Sequence, residues 1–93
     1  MKHFNTLGHH YDERNSKVLD NQIELNNWES NLWGTIKQWY MNGRIIHPQN
    51  KGVGLQYPIK LMNGKTKFKK FFVFNYDETR EIEILKPYFI DNK

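Results

Sequence analysis

The segment best suited to bind an anion is a run of lysines interleaved with phenylalanines. It reads KLMNGKTKFKKFFVFN from residue 60 to residue 75 and contains five lysines, four phenylalanines and no acid. Lysine ammonium groups attract phosphates, and aromatic rings offer faces on which nucleobases stack. The candidate anion-binding residues are Lys60, Lys65, Lys67, Lys69 and Lys70, and the candidate stacking residues are Tyr57, Phe68 and Tyr76.

Net charge points to the same half of the chain. Residues 1–31 hold three basic and five acidic side chains, whereas residues 32–93 hold eleven basic and five acidic ones, within a net charge of +4. A basic half favours association with nucleic acid, a nucleoprotein or an acidic protein surface. The alternative is structural: Glu81 and Glu83, as cross-strand neighbours, would pair with part of the lysine row and set its register.

Other chemistries have little support in the residue pattern. The chain has no cysteine, which excludes thiolate metal sites, disulfides and thiol catalysis, and its two serines lie outside any nucleophile-elbow motif. Several imidazole and carboxylate groups near the N-terminus could bind a zinc or nickel ion, but their spacing matches no ligand pattern. They are His3, His9, His10, Asp12 and Glu13. We therefore predict no catalytic residue, no metal and no cofactor.

A β-hairpin must position the lysines. Residues 55–62 and 66–75 read as strands around Asn63-Gly64, a pair that favours a two-residue type I′ turn, and Pro58 indicates a sheet edge. Side chains alternate along a strand, so Phe68 and Lys70 share one face while Lys67 and Lys69 share the other. From Phe71 onward both faces are apolar, which predicts a strand covered on both sides.

The sequence also predicts one amphipathic helix over residues 27–41. Large apolar residues recur there at intervals of three or four, with Asn26 or Asn27 as N-cap and Asn42-Gly43 as the stop. They are Leu25, Trp28, Leu32, Ile36 and Trp39. Residues 17–25 fit either a short hairpin or a helix, and we favour the hairpin. Residues 1–16 are polar and predict a loosely ordered N-terminal segment.

The remaining elements complete a single small domain over residues 1–93. Residues 44–47 and 81–86 read as further strands, and the apolar tail at 88–90 is expected to pack on the body. The predicted fold class is α+β, with the helix on a three- to four-stranded antiparallel meander sheet in the C-terminal half. No run of about 18 apolar residues and no signal peptide is present, so we expect a cytoplasmic protein without a membrane partner.

These features predict a small basic binding protein without catalysis, whose lysine and aromatic hairpin docks on nucleic acid or a nucleoprotein. The chain has 11 Asn and 11 Lys but no Ala, a usage typical of AT-rich genomes, and this favours a phage or mobile-element regulator or inhibitor. Because 15% of the residues are aromatic, an inhibitor acting by aromatic-rich protein contact is an alternative.

A second alternative comes from a resemblance. The order of a helical segment, a basic loop and a C-terminal sheet, with NGRIIHPQNKGVGLQYPIKL leading into FKKFFVF, resembles RelE-type ribonuclease toxins. The resemblance implies an endonuclease that cleaves ribosome-bound mRNA with basic and aromatic side chains. Its candidates for phosphate stabilisation and proton transfer would be Arg44, Lys51, Lys69, Arg80 and Tyr88.

Overall fold

The computed structural model describes residues 1–82, which form an α+β fold with one main helix and a curled four-stranded mixed sheet. The elements are β1 (Phe4–Asn5), α1 (Glu13–Asn26), β2 (Leu32–Gly34), α2 (Ile36–Met41), β3 (Arg44–Ile46), β4 (Val53–Lys60), β5 (Thr66–Asn75), a 3-10 turn (Tyr76–Glu78) and β6 (Thr79–Glu81). The strand order in the sheet is β1-β2-β5-β4, and β3 pairs with β6 separately.

Helix α1 occupies the region where a short hairpin was predicted, so that prediction is wrong. The side chain of Asp12 caps the helix by accepting a hydrogen bond from the backbone of Asn15 at 2.8 Å. Leu19 and Ile23 lie one turn apart and pack into the core. The apolar pattern of residues 17–25 was too short to distinguish this helix from strands, and the cap that settles it lies further upstream.

The helix predicted over residues 27–41 is also wrong. Asn27 takes a left-handed conformation (φ 57°) and ends α1 instead of starting a helix. Residues 32–34 form β2, and only then does the reciprocal Thr35–Gln38 capping box begin the short α2, which ends at the expected Asn42. The spacing of three to four therefore arose from a loop, a strand and a helix in succession, and Ile36 stays 63% exposed.

The sheet is mixed because one of its two outer strands, β1, comes from the N-terminal segment and runs parallel to its neighbour. Strand β1 pairs parallel to β2, whereas β2 with β5 and β4 with β5 are antiparallel. The prediction of a purely antiparallel meander is therefore wrong. The edge position of β4 agrees with Pro58, because proline cannot donate to a strand on its outer side. Asn15 of α1 covers that edge, donating to the carbonyl of Gln56 at 3.0 Å and accepting from its N–H at 3.4 Å.

The β4–β5 hairpin is confirmed, but its turn is of another type. The backbone N–H of Gly64 donates to the carbonyl of Leu61 at 3.0 Å, and the N–H of Leu61 donates to the carbonyl of Lys65 at 2.8 Å. Gly64 has φ +84°, whereas Asn63 has no positive φ. This is the three-residue loop in which a left-handed glycine follows a turn, and a two-residue type I′ turn would have needed positive φ at both residues.

The core lies between α1 and one face of the sheet, where Val53, Leu55 and Val73 surround Leu19 and Trp33. On the other face of β5, Phe74 is buried, and the indole N–H of Trp39 donates to its carbonyl at 2.8 Å. Phe72 on that face is 50% exposed. Strand β5 is thus covered on both sides only from residue 73 onward, later than its apolar sequence suggests.

The N-terminal segment is anchored by a buried histidine. The indole N–H of Trp33 donates to Nδ1 of His3 at 2.9 Å, so the N–H of this imidazole lies on Nε2, 2.7 Å from the Asp20 carboxylate. The hydrogen bond from His3, followed by the positive N-terminus, holds the pKa of Asp20 below its ordinary value. The network ties β1 to α1 and β2.

Candidate functional site

The hairpin divides the predicted binding residues between its two faces. Cross-strand pairs place Pro58 opposite Phe68 and Gly54 opposite Phe72. One face, which we name the phenylalanine face, comprises Gly54, Gln56, Pro58, Lys60, Phe68, Lys70 and Phe72. The opposite, lysine–tyrosine face comprises Tyr57, Ile59, Lys67 and Lys69, and it continues into the core face of the sheet. Lys65 lies in the turn between the strands.

Aromatic rings on the phenylalanine face are accessible and lie beside cations. Phe68 and Phe72 are each 50% exposed. The guanidinium carbon of Arg14 lies 5.5 Å from the centre of the Phe68 ring, and the ammonium of Lys70 lies 5.7 Å from that of Phe72. Cations at this distance are attracted to the ring faces and stay near them. Rings and positive charges therefore alternate along one exposed surface.

Gly54 makes room for this arrangement. A Cβ at this position would lie 2.7 Å from Cε of Lys70 and 3.4 Å from the Phe72 ring. The lysine stem can cross the neighbouring strand only because the glycine has no side chain. Lys70 and Phe72 are thereby held side by side on the phenylalanine face.

The phenylalanine face leads into a mainly apolar cleft of about 540 Å³ at the start of α2. Phe72 and Phe74 form one wall, and Lys37 and Lys51 add two further positive charges at its border. The cleft extends the exposed surface beyond the hairpin, because Phe72 belongs to both.

Sequence reasoning missed Arg14, Phe72 and Lys37 as members of this surface. Arg14 lies 54 positions before Phe68 and reaches it only because α1 packs against β4 through Asn15. Nothing in the local sequence signals that contact. Phe72 was assigned to the core because it lies in an apolar run, although its side chain alternates to the exposed face.

Acidic neighbours were expected beside the lysines, and for Glu81 this is wrong. Glu81 is the cross-strand neighbour of Arg44 in the β3–β6 sheet. Glu83 lies outside the described residues. Lys67 and Lys69 instead face Ile59 and Tyr57, and residues 53–75 contain no acid. The positive potential of the hairpin is therefore not reduced by Glu81 in the way the sequence suggested.

Tyr76 does not belong to the hairpin surface. It follows the far end of β5, about 30 Å from Lys67 at the usual rise of a strand. Its ring packs against Trp39 with centroids 5.9 Å apart, and the Arg44 guanidinium lies 4.2 Å from its centre. Tyr57, in contrast, lies on the hairpin and is 41% exposed, so it remains accessible on the lysine–tyrosine face.

The residues suggested by the ribonuclease resemblance occupy separate elements. Arg44 lies in β3, donates to the Thr79 hydroxyl at 2.6 Å, and shares the two-stranded sheet with Arg80. Lys69 lies on the hairpin and Lys51 in the loop before β4, while Tyr88 is outside the described residues. The endonuclease activity stays a prediction that no contact among these residues tests.

Residues 1–82 contain neither a metal-binding cluster nor a membrane-spanning helix. No three or more His, Asp or Glu side chains come together there in a group that could hold a metal ion. His3, which the sequence grouped with possible ligands, is instead bonded to Asp20 and Trp33. Within the same residues, no helix has the length and apolar character needed to cross a membrane.

Residues 1–82 thus form an α+β fold whose curled mixed sheet presents an exposed face of lysine and phenylalanine side chains. The same fold occurs in the antirestriction protein ArdC of plasmid R388. Its Mn(II)-bound structure matches with a TM-score of 0.77 at 20% identity, over 87% of this chain and 35% of that one. The metal-free structure matches with a TM-score of 0.72 at 20% identity, over 88% and 33%.

At this level of identity the similarity concerns the fold. The chain spans about a third of the length of the ArdC structures. No protein-family model and no curated protein matches the sequence.

Proposed function

We propose that the chain is a small non-catalytic protein that binds single-stranded nucleic acid, free or within a nucleoprotein. It would act as an inhibitor or regulator encoded by a phage or mobile element. The observation that carries the proposal is the alternation of half-exposed rings and cations along the phenylalanine face. Phe68 and Phe72 provide stacking surfaces, while Arg14, Lys60 and Lys70 lie where phosphates of a bound strand would pass.

A single strand fits this surface better than a duplex. Unpaired bases can leave their own stack and lie on protruding rings, whereas bases in a duplex are already stacked on each other. Each base–ring contact contributes about 1–3 kcal/mol in proteins that bind single strands, and it tolerates any sequence. The cleft beside Lys37 and Lys51 would extend the path of the strand past Phe72.

The inhibitory role is supported by the fold. Two solved structures with this fold are those of a plasmid antirestriction protein. A strand-binding protein encoded by a mobile element would act in the same sense by occupying single-stranded DNA that a host nuclease would otherwise engage. The residue usage of the chain, which is typical of an AT-rich genome, agrees with such an origin.

The test is fluorescence anisotropy with a labelled oligothymidylate of roughly 12 nucleotides and with a duplex of equal length. We expect the single strand to bind more tightly, with an affinity that falls steeply with salt. A double charge reversal, Lys60→Glu with Lys70→Glu, should abolish binding. The matched control reverses Lys2 and Lys17, which lie in the acidic part of the sequence. Salt-independent binding, or equal loss in both double variants, would contradict the proposal.

A second candidate function is inhibition by protein contact, which one observation favours. The exposed side of α2 carries Ile36, Tyr40 and Met41, which are 63%, 65% and 75% exposed. Ile36 and Tyr40 also line an apolar cavity of about 270 Å³, together with Ile45, Ile46 and Phe74, among others. Pull-down from host extract after nuclease treatment distinguishes the two functions, because a direct protein partner survives the nuclease. Loss of that partner in Tyr40→Ala, with retention in Phe68→Ala, would favour protein contact.

A further inference from the structure

A polar cavity of about 370 Å³ lies between the end of α1, the loop before β4 and the 3-10 turn. Its volume falls in the range of small-ligand pockets, about 300–1,000 Å³. Its lining includes Trp28, Asn50, Lys51 and Glu78. The cavity therefore combines an aromatic wall, an amide, a cation and a carboxylate, and none of these groups lies on the hairpin.

Trp28 is a partly exposed ring in a fixed orientation. Its backbone N–H donates to the carbonyl of Ile23 at 3.1 Å, directly after the helix ends. Its indole meets the buried indole of Trp33 edge to face, with centroids 6.0 Å apart and planes at 74°. A ring held in this way can stack on a planar ligand with little loss of side-chain entropy.

Glu78 places a fixed acceptor in the same cavity. Its Oε1 accepts a hydrogen bond from the backbone N–H of Asn75 at 2.9 Å, which sets the orientation of the carboxylate. Burial raises the pKa of Glu78, although hydrogen bonds from Asn75 and Asn50 oppose the rise. The neighbouring Asp77 is already engaged, because its Oδ2 accepts from the backbone N–H groups of Glu29 and Ser30 at 2.7 and 3.1 Å. Glu78 is half-buried whereas Asp77 is exposed, and its two oxygens can accept more hydrogen bonds than those from Asn75 and Asn50. Glu78 is therefore the carboxylate better placed for a ligand.

The cavity is adjacent to the proposed strand-binding surface. Asn50 and Lys51 line both the polar cavity and the cleft beside Phe72. A strand lying on the phenylalanine face would therefore pass the entrance. Lys51 stands where it can neutralise a phosphate at that point.

We propose that the polar cavity takes one base of the bound strand and selects a base with an exocyclic amine, with Trp28 stacking on its ring and Glu78 accepting from its N–H groups. The inference rests on the proposed function. Cytosine, adenine and guanine each present an exocyclic amine that can donate to a carboxylate. Thymine has no such amine, and its single N3–H lies between two carbonyl oxygens that would face the negative charge.

The test compares an oligothymidylate of roughly 12 nucleotides with the same oligomer carrying one central cytosine, adenine or guanine. We expect the amine-bearing bases to bind at least about fivefold more tightly. Glu78→Gln should remove most of this preference, measured as the ratio of affinities within each variant, and should keep the local fold, because the glutamine oxygen can still accept from Asn75. The control is Glu24→Gln, an equal charge change at an exposed position of α1.

A second measurement does not depend on the Glu78 variant. The central base is replaced by 2-aminopurine, whose emission falls when it stacks on another ring, and Trp28→Leu should reduce that fall. Equal affinity for all four oligomers would overturn the inference while leaving the proposed function intact. A preference that persists in both Glu78→Gln and Trp28→Leu would also overturn it. Failure of the all-thymine oligomer to bind would instead reject the proposed function, and the inference with it.

Discussion

Strand β5 is buried at one end and exposed at the other. Val73, Phe74 and Asn75 are 0%, 4% and 0% exposed, and Asn75 is also bonded to the carbonyl of Ser30 and the N–H of Asp77 at 2.8 Å each. At the other end, every residue from Thr66 to Lys70 is exposed, and over residues 1–82 this part pairs with β4 alone. One strand thus contains both fold-stabilising residues and candidate binding residues, and the boundary falls near Phe72.

The largest expected difference between the two ends is in stability. Phe74→Ala should lower the free energy of unfolding by about 3–5 kcal/mol, because it empties a buried position beside Trp39. Phe68 lies on the same face of the same strand but is 50% exposed. Phe68→Ala should therefore lower the free energy of unfolding by about 0.5 kcal/mol or less. Urea denaturation of both variants measures the comparison. Equal losses would contradict the division of the strand.

Binding should show the reverse order. Phe68→Ala and Phe72→Ala should each weaken oligothymidylate binding by about 1–3 kcal/mol, because each removes one stacking surface. Lys70→Gln should reduce the slope of log affinity against log salt by about 0.7, as expected when one contact to a single-stranded phosphate is lost. Tyr76→Ala serves as the aromatic control, since Tyr76 lies away from the hairpin. An equal loss in Tyr76→Ala would show that the hairpin rings have no special role.

Two glycines of β4 and its preceding loop sharpen the comparison. Gly52 has φ +76°, and a Cβ there would lie 2.8 Å from the Phe74 ring, so Gly52→Ala should lower stability by more than about 1 kcal/mol. At Gly54, a Cβ would lie 2.7 Å from the flexible end of Lys70, which can move aside, and 3.4 Å from the Phe72 ring, which is an ordinary contact. We therefore expect near-native stability but weaker strand binding for Gly54→Ala. A stable Gly52→Ala variant in thermal denaturation would be inconsistent with close packing at the buried end.

The smallest expected effect is on the pH dependence of stability, through a hydrogen-bond network next to the buried end of β5. Trp33 pairs with Asn75 and donates to His3, which in turn bonds Asp20. Because the pKa of Asp20 is lowered in the fold, its contribution to stability is present above the ordinary value of 3.8 and is lost as the pH falls through the lower folded value. Asp20→Asn should flatten the decline of the unfolding midpoint at acid pH. An unchanged decline would assign it to other carboxylates.

Local signals in the sequence predicted the hairpin and the edge position of Pro58, because turn chemistry and strand alternation depend on neighbouring residues. Contacts between distant segments were not predictable in this way. The packing of α1 on β4 brings Arg14 to Phe68, and the pairing of β6 with β3 takes Glu81 away from the lysines. The helix predicted over residues 27–41 failed because several short elements together imitated one period.

The amide of Asn15 also bears on self-association. A long exposed hairpin with an open outer strand invites a neighbouring copy to add its own strand, which is a common route to aggregation and domain swapping. Asn15 occupies both backbone groups of Gln56, and Pro58 offers no N–H two positions later. The backbone of β4 is thus blocked against further strand addition at this point, while the side chains above it stay free for a ligand. Loss of this amide should first appear as concentration-dependent turbidity.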